Sequence, residues 1–182
     1  EVGFLREDQG DYSEARHLLR RALAIRRAHP GEDPLPLATT LHALASVNRQ
    51  MGRYEEGEAQ IREAIALKEA AYGEPHPDVA SSLVILGTLL STRELNRESL
   101  RERYDGSTRE RYAEAEAANR RALAIRREVL GPDHLDVASS LQSLSQTYRF
   151  QRRWADAEPL LRDALRIWDV HHGADYGQTT LT

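Results

Sequence analysis

The chain has 182 residues, 40% of them hydrophobic and 30% charged, and its net charge of −4 offers no bulk positive field for nucleic acid. The absence of cysteine excludes a disulfide framework, a thiolate metal site and a cysteine nucleophile. No run approaches the roughly 18 consecutive apolar residues of a membrane span, and the first residues lack the basic-then-apolar layout of a signal peptide. The expected compartment is therefore cytoplasmic, with neither nucleic acid nor membrane as a partner.

Self-similarity organises the chain. The aromatic series Tyr12, Tyr54, Tyr112, Trp154 advances by 42, 58 and 42 positions, so one unit has gained 16 residues. Ala22, Ala64, Ala122, Ala164 and Leu23, Ile65, Leu123, Leu165 keep the same steps, and Gly31, Gly73, Gly131 and Gly173 open successive units. A fixed period of this length is the signature of a solenoid whose repeats stack on their neighbours.

In chain order, residues 1–30 read as a partial repeat, with Val2–Arg6 as the tail of a first helix and a second helix from Tyr12. The chain starts without Met and inside a repeat, the layout expected of a segment of a longer protein. Residues 31–72 form a full repeat, whose helix A opens at Leu35-Pro36-Leu37 and whose helix B opens near Tyr54. In residues 73–130, helix A follows His76-Pro77-Asp78, with Pro in the first turn and an acid at the positive end of the dipole. Val79, Ala80, Leu83, Leu86, Gly87 and Leu90 recur along it at helical spacing and mark its core face.

The extra residues of this unit fall within 93–109. They are rich in helix formers and contain no Pro, which predicts that helix A runs on to about Tyr104 before a turn at Asp105-Gly106, a disordered loop being the alternative. Ser107 and Glu110 then have the form of a capping box. Residues 131–172 form the last full repeat, opening at Leu135-Asp136-Val137 and continuing in WADAEPLLRDALRIW. Residues 173–182 begin a truncated repeat.

On the B helices, Glu58 and Arg62, Glu116 and Arg120, and Glu158 and Arg162 are acid-to-base pairs at i,i+4, each contributing about 0.2–0.5 kcal/mol and marking a solvated face. Arg16 and Arg20 break that pattern with like charges. The runs Arg20-Arg21, Arg26-Arg27, Arg120-Arg121 and Arg126-Arg127 read as parts of the same solvated outer face.

Leu83, Leu86-Gly87, Leu90, Tyr112, Ala115 and Ala122 resemble the tetratricopeptide pattern. The 42-residue step, with GEPHPDVASSL and YAEAEAANRRALAIRREVLG, is similar to the kinesin light chain type of that repeat. The resemblance implies an all-α fold, a right-handed α-solenoid of antiparallel helix pairs. It also implies a concave groove lined by the A helices and a non-catalytic role in holding a peptide or protein segment, within a larger multidomain protein. A structural spacer or self-assembly segment is the alternative. The family often holds a peptide backbone with Asn in the middle of helix A, where this chain has His42-Ala43, Val84-Ile85 and Gln142-Ser143.

With the core stripe centred on Leu41, Leu83 and Leu141, the opposite face of helix A at 100° per residue is predicted to line that groove. It holds Thr39, His42, Ser46, Arg49 and Gln50 in the first full repeat, and Ser81, Val84, Ile85 and Thr88 in the second. In the third it holds Ser139, Gln142, Gln146, Arg149 and Phe150. Val84, Ile85 and Phe150 are the expected apolar anchors and the two Arg the attractors of acid, while Val84 and Ile85 also fit packing against a neighbouring repeat.

No phosphate loop, HExxH or GxSxG is present, so no catalytic residue, metal or cofactor is expected. Repetition alone accounts for His76 and His134 in the inter-repeat turns and for His29 and His171 at the ends of the B helices. His171-His172 with Asp175 is an exposed cluster of the kind that seldom holds a metal.

Overall fold

The computed structural model describes the backbone at 2–29, 31, 33–73, 75–99 and 106–172, and side chains over the same ranges except 2–10, 95–99, 106–107 and 172. Among the described residues there are seven helices and no strand: α1 (Val2–Ala28), α2 (Leu35–Gln50), α3 (Tyr54–Tyr72), α4 (Pro77–Ser99), α5 (Gly106–Leu130), α6 (Leu135–Phe150) and α7 (Trp154–His172). The fold is all-α, a repeat solenoid class, and it divides into two compact units, Glu1–Glu74 and Pro75–Thr182.

In the first unit α2 packs against both α1 and α3. The spacing of Ala38, Leu41, Leu44 and Ala45 turns one stripe of α2 inward, and Ile61, Ala64 and Ile65 of α3 complete the buried cluster. A fully buried Asn48 interrupts the stripe. Its Oδ1 accepts from Arg16 Nε at 2.9 Å and its Nδ2 donates to Gln60 Oε1 at 2.8 Å, so the amide is buried with its bonds satisfied. Arg16 thus reaches across to α2 and α3, where Glu56 receives its other nitrogen at 2.7 Å, and its like-charged neighbour Arg20 is not its partner.

α1 differs from the expected layout. It runs unbroken from Val2 through Gly10, so Val2–Arg6 continues the helix where a separate helix A tail was expected. The helix passes through Gly10 without a turn, which keeps the i→i−4 bonds on either side of it.

In the second unit α4 packs on α5, α5 on α6, α6 on α7, and α4 also on α6. Val137, Ala138, Leu141, Leu144 and Tyr148 of α6 share a cluster with Leu123 of α5 and with Ala157, Ala164 and Ile167 of α7. Ala157 and Ala164 bring the α6 and α7 backbones close. Across the same joint Arg153 stacks over the Tyr148 ring at 4.3 Å and meets Glu116 at 2.7 Å, while the Tyr148 hydroxyl donates to Glu116 at 3.2 Å.

α4 continues past the length of its counterparts to Ser99, and α5 starts at Gly106. At the base of this extension Glu94 is fully buried, accepting from Thr108 Oγ1 at 3.0 Å with Arg111 Nε at 3.5 Å. Tyr104 and Asp105 lie outside the described residues, as does the side chain of Ser107, whose backbone is already one residue into α5.

Candidate functional site

The predicted groove residues divide between the units. On α2, Thr39 and Gln50 are exposed and His42, Ser46 and Arg49 half-buried. On α4, Ser81, Val84, Ile85 and Thr88 are all half-buried; on α6, Ser139, Gln142, Gln146 and Arg149 are exposed and Phe150 half-buried. Since α4 and α6 pack side by side, the structure brings two of the three predicted rows together within one unit.

Much of the short polar lining is committed to its own helix. Thr39, Ser81, Thr88 and Ser139 each donate the hydroxyl to the carbonyl four residues back, at 2.9, 3.0, 2.9 and 3.2 Å. Ser81 has a second role: its oxygen also accepts from Arg126 Nη2 at 3.0 Å. That contact overturns the outer-face placement of Arg126. The side chain is 6% exposed and its Nη1 reaches Ser140 Oγ at 2.8 Å and the Asp136 carbonyl at 2.9 Å, tying α4 and α6 to α5. Burial pushes its guanidinium below the ordinary arginine value, with Asp136 opposing. The neighbouring Arg120, Arg121 and Arg127 are exposed as expected.

The repeat holds the clue that was missed. Arg26, which shares the register of Arg126, donates to the Pro36 carbonyl at 2.6 Å, in the register of Asp136. A cation near the end of a B helix thus grips the first turn of the next A helix. Spacing alone placed it near a helix terminus, where bases are favoured in solvent as well.

His76 and His134 have a defined structural task. Each Nδ1 accepts the backbone N–H two residues on, from Asp78 at 3.2 Å and Asp136 at 3.1 Å, capping α4 and α6. His171 Nε2 lies 2.8 Å from the Asp133 carbonyl. Asp175 lies outside the described residues. Among the described residues no cluster of three metal-ligating side chains occurs, and no helix is long and apolar enough to cross a membrane.

Exposed Gln142, Gln146 and Arg149 of α6, with buried Ser145, line a cavity of about 170 Å³ together with Leu161, Leu165 and Trp168 of α7. The α7 contribution escaped a prediction confined to A helices. Its signal lay in the alignment of B helices, where Leu161 and Trp168 replace Asn119 and Arg126.

No curated protein matches the chain. Among solved structures it is similar to BtubC (BKLC) from P. vanneervenii, at 17% identity and a TM-score of 0.61, over 97% of this chain and 73% of that one. It is also similar to Podosopora anserina kinesin-light-chain-type repeats described as nearly identical and TPR-like, at 17% identity and a TM-score of 0.42, over 94% of each chain. The tetratricopeptide repeat model matches residues 1–56, 36–101 and 108–169. With that match over most of its length and paired helices in both units, the chain belongs to the tetratricopeptide repeat family.

Proposed function

We propose that the chain is a non-catalytic scaffold that binds a peptide or protein segment on the faces of its A helices, as part of a larger multidomain protein. Tetratricopeptide repeats generally serve as interaction scaffolds. The observation that carries the reading is the α4–α6 face: exposed Gln142, Gln146 and Arg149 stand beside half-buried Phe150, with half-buried Val84 and Ile85 in the matching register of the adjacent helix.

The chemistry of that face selects the ligand. Val84, Ile85 and Phe150 offer apolar anchorage, and a few such contacts carry most of an interface's energy. Arg149 favours an acidic residue and acts mainly on encounter and orientation. Because the hydroxyls of Thr88, Ser81 and Ser139 already serve their own helices, the Gln142 and Gln146 amides provide the polar contacts. In the first unit, taken by itself, Arg49, His42, Ser46, Thr39 and Gln50 form the face of α2 in the same registers. A shallow face of this kind fits an affinity of about 1 μM, about −8 kcal/mol.

A photo-crosslinking side chain at Gln146 is expected to capture the bound segment, while one at exposed Arg127 captures none. Capture at Arg127 alone would remove the A helices from the binding surface.

A further inference from the structure

In the first unit α1 and α3 both pack on α2, and long side chains span the space between them. Arg16, Arg20 and Arg27 share one face of α1, and Glu56, Gln60 and Glu63 one face of α3. The outer residues of these rows pair as ions, Arg16 with Glu56 at 2.7 Å and Arg27 with Glu63 at 2.6 Å. The middle ones do not. Arg20 and Gln60 line a cavity of about 430 Å³, and Gln60 Oε1 already accepts from Asn48 Nδ2 at 2.8 Å. Arg20 has no hydrogen-bond or ion-pair partner among the described residues.

The second unit closes the same place. Glu116, Arg120, Tyr148 and Leu160 stand there in the registers of Arg16, Arg20, Asn48 and Gln60. Arg120 Nη2 meets Glu116 at 2.9 Å and the Tyr148 hydroxyl at 2.8 Å, while Leu160 packs on the apolar cluster of α6 and α7. With Arg16, Asn48 and Gln60 in their places, the first unit loses both acceptors and two bulky side chains. Its cavity therefore arises from the residues of one unit, with α1, α2 and α3 all present around it.

The lining selects a ligand. Buried Leu44 and half-buried Leu23 offer apolar contact, and exposed Arg20 stands at the mouth. Glu56 also lines the cavity, but Arg16 and Arg53 hold its two oxygens at 2.7 and 2.9 Å, and Arg27 is held by Glu63. Arg20 is thus the cation of the lining that lacks a carboxylate. A volume within the range of about 300–1,000 Å³ for small-molecule sites, an apolar floor and one orienting charge together suit a compact ligand. The guanidinium fork matches the two oxygens of a carboxylate.

We propose that the cavity between α1 and α3 binds a small carboxylic acid with a compact apolar body, its carboxylate on Arg20 and its body against Leu23 and Leu44. The carboxylate supplies the acceptor that Glu116 and Tyr148 supply to Arg120, and the body takes the apolar contacts that Leu160 makes in the second unit. Because Arg20 is exposed, the charge contact weakens as salt rises. The site lies apart from the A-helix faces of the proposed function, since none of its lining residues belongs to them.

Benzoate titrated into the full chain, with the leucine methyl groups followed by NMR, is expected to shift Leu23 and Leu44 saturably and to leave Leu123 and Leu144 in place. Benzamide keeps the ring without the charge, and acetate keeps the charge without the ring. Each should bind about tenfold more weakly or worse. Arg20→Gln should weaken benzoate about tenfold or more, and Arg120→Gln in the second unit should not change it. Arg16→Glu with Asn48→Tyr and Gln60→Leu, which copies the residues of the second unit, should abolish the shifts while circular dichroism shows the helices retained. If that variant does not fold, Arg20→Gln and the benzamide and acetate comparisons decide the matter. Absence of a saturable shift, equal affinity for benzoate and either comparison compound, binding undiminished by Arg20→Gln, or binding retained by the folded triple variant would overturn the proposal.

Discussion

Gly87 of α4 and the amide of Asn119 on α5 occupy space that a single methyl group would close. A Cβ at Gly87 would fall 2.5 Å from Asn119 Nδ2 and 2.7 Å from its Cγ. The amide cannot swing away freely, because Nδ2 donates to Thr147 at 2.9 Å. In the other full repeats the registers of this pair hold Ala45 with Ile61 and Ser145 with Leu161, so the glycine and the buried amide occur together. Helix propensity alone favours alanine over glycine by about 1 kcal/mol. Gly87→Ala is nonetheless expected to destabilise the chain in denaturant unfolding. With Asn119→Ala added, a double-mutant cycle should show a coupling of about 0.5–3 kcal/mol; additive effects would mean that the close approach is relieved elsewhere.

The turn between paired helices places one residue in the left-handed region, Gly52 at φ 70° in the first unit and Arg152 at φ 58° in the second. Arg153 N and Arg53 N then donate to the carbonyls of Tyr148 and Asn48, at 2.9 and 2.8 Å, so both turns close in the same way. Only at Arg152 does a side chain bear the strain, which is about 1–2 kcal/mol for an L-residue. Arg152→Gly should therefore raise stability by up to about 1 kcal/mol, seen as an increase in the denaturation midpoint. An unchanged or lower midpoint would show that the Arg152 side chain contributes more than the strain it carries.

That turn also bears on the extension after α4. Deleting Glu94–Arg109 should return an ordinary repeat, with buried Glu94 and its partner Thr108 leaving together. It places Glu110 in the left-handed position of Gly52 and Arg152. The deletion combined with Glu110→Gly should thus be more stable than the deletion alone, by about 1 kcal/mol. If both fail to fold by circular dichroism, the extension belongs to the packing of the unit.

Arg126 and Arg127 are adjacent in sequence and opposite in environment. Arg126→Ala removes a buried charge and three hydrogen bonds to α4 and α6, leaving Ser140 Oγ and the Asp136 carbonyl without that donor. A loss of about 2–3 kcal/mol is expected. Arg127→Ala on the exposed side should stay within about 0.5 kcal/mol. Equal losses in thermal or denaturant unfolding would contradict the assignment of Arg126 to the interior.

Hydrogen bonds from Arg16 and then Arg53 hold the Glu56 carboxyl below its ordinary range. A depressed carboxylate contributes stability above its unfolded value, near pH 4.3, and loses it as pH falls through the lower folded value. Glu56 is partly exposed, so the contribution is discounted to a few tenths of a kcal/mol. Glu56→Gln should flatten the acid limb of the stability profile by that amount and leave neutral pH slightly less stable than the parent. An unchanged acid limb would show that the three charges are screened from one another.

The architecture was legible because period and core stripe reinforce each other: Leu41, Leu83 and Leu141 share one register and all three are buried. Features depending on distant partners were hidden. Arg126 looks like a solvated helix-end base until Ser81 and Ser140 meet it, and Asn48 falls on the core stripe of α2, in the register of Leu90 and Tyr148, but the partners that satisfy its amide, Arg16 and Gln60, come from other helices. His76 and His134 were legible as a recurrence, while their capping role required the backbone of the following turn. The candidate surface was half visible for a related reason: helical spacing can name one face of α6, but only packing adds Leu161, Leu165 and Trp168 to it.

The central claim is that a protein segment binds on the α4–α6 face. Its most direct measurement is a titration of the segment captured at Gln146 against the parent chain and against Phe150→Ala, Arg149→Glu and Arg127→Glu. The account predicts that Phe150→Ala weakens binding about tenfold or more, as loss of an anchor of about 1.4 kcal/mol or more requires, that Arg149→Glu weakens it mainly through slower association, and that Arg127→Glu leaves it unchanged. Loss of binding in Arg127→Glu, with Phe150→Ala and Arg149→Glu at parental affinity, would contradict it.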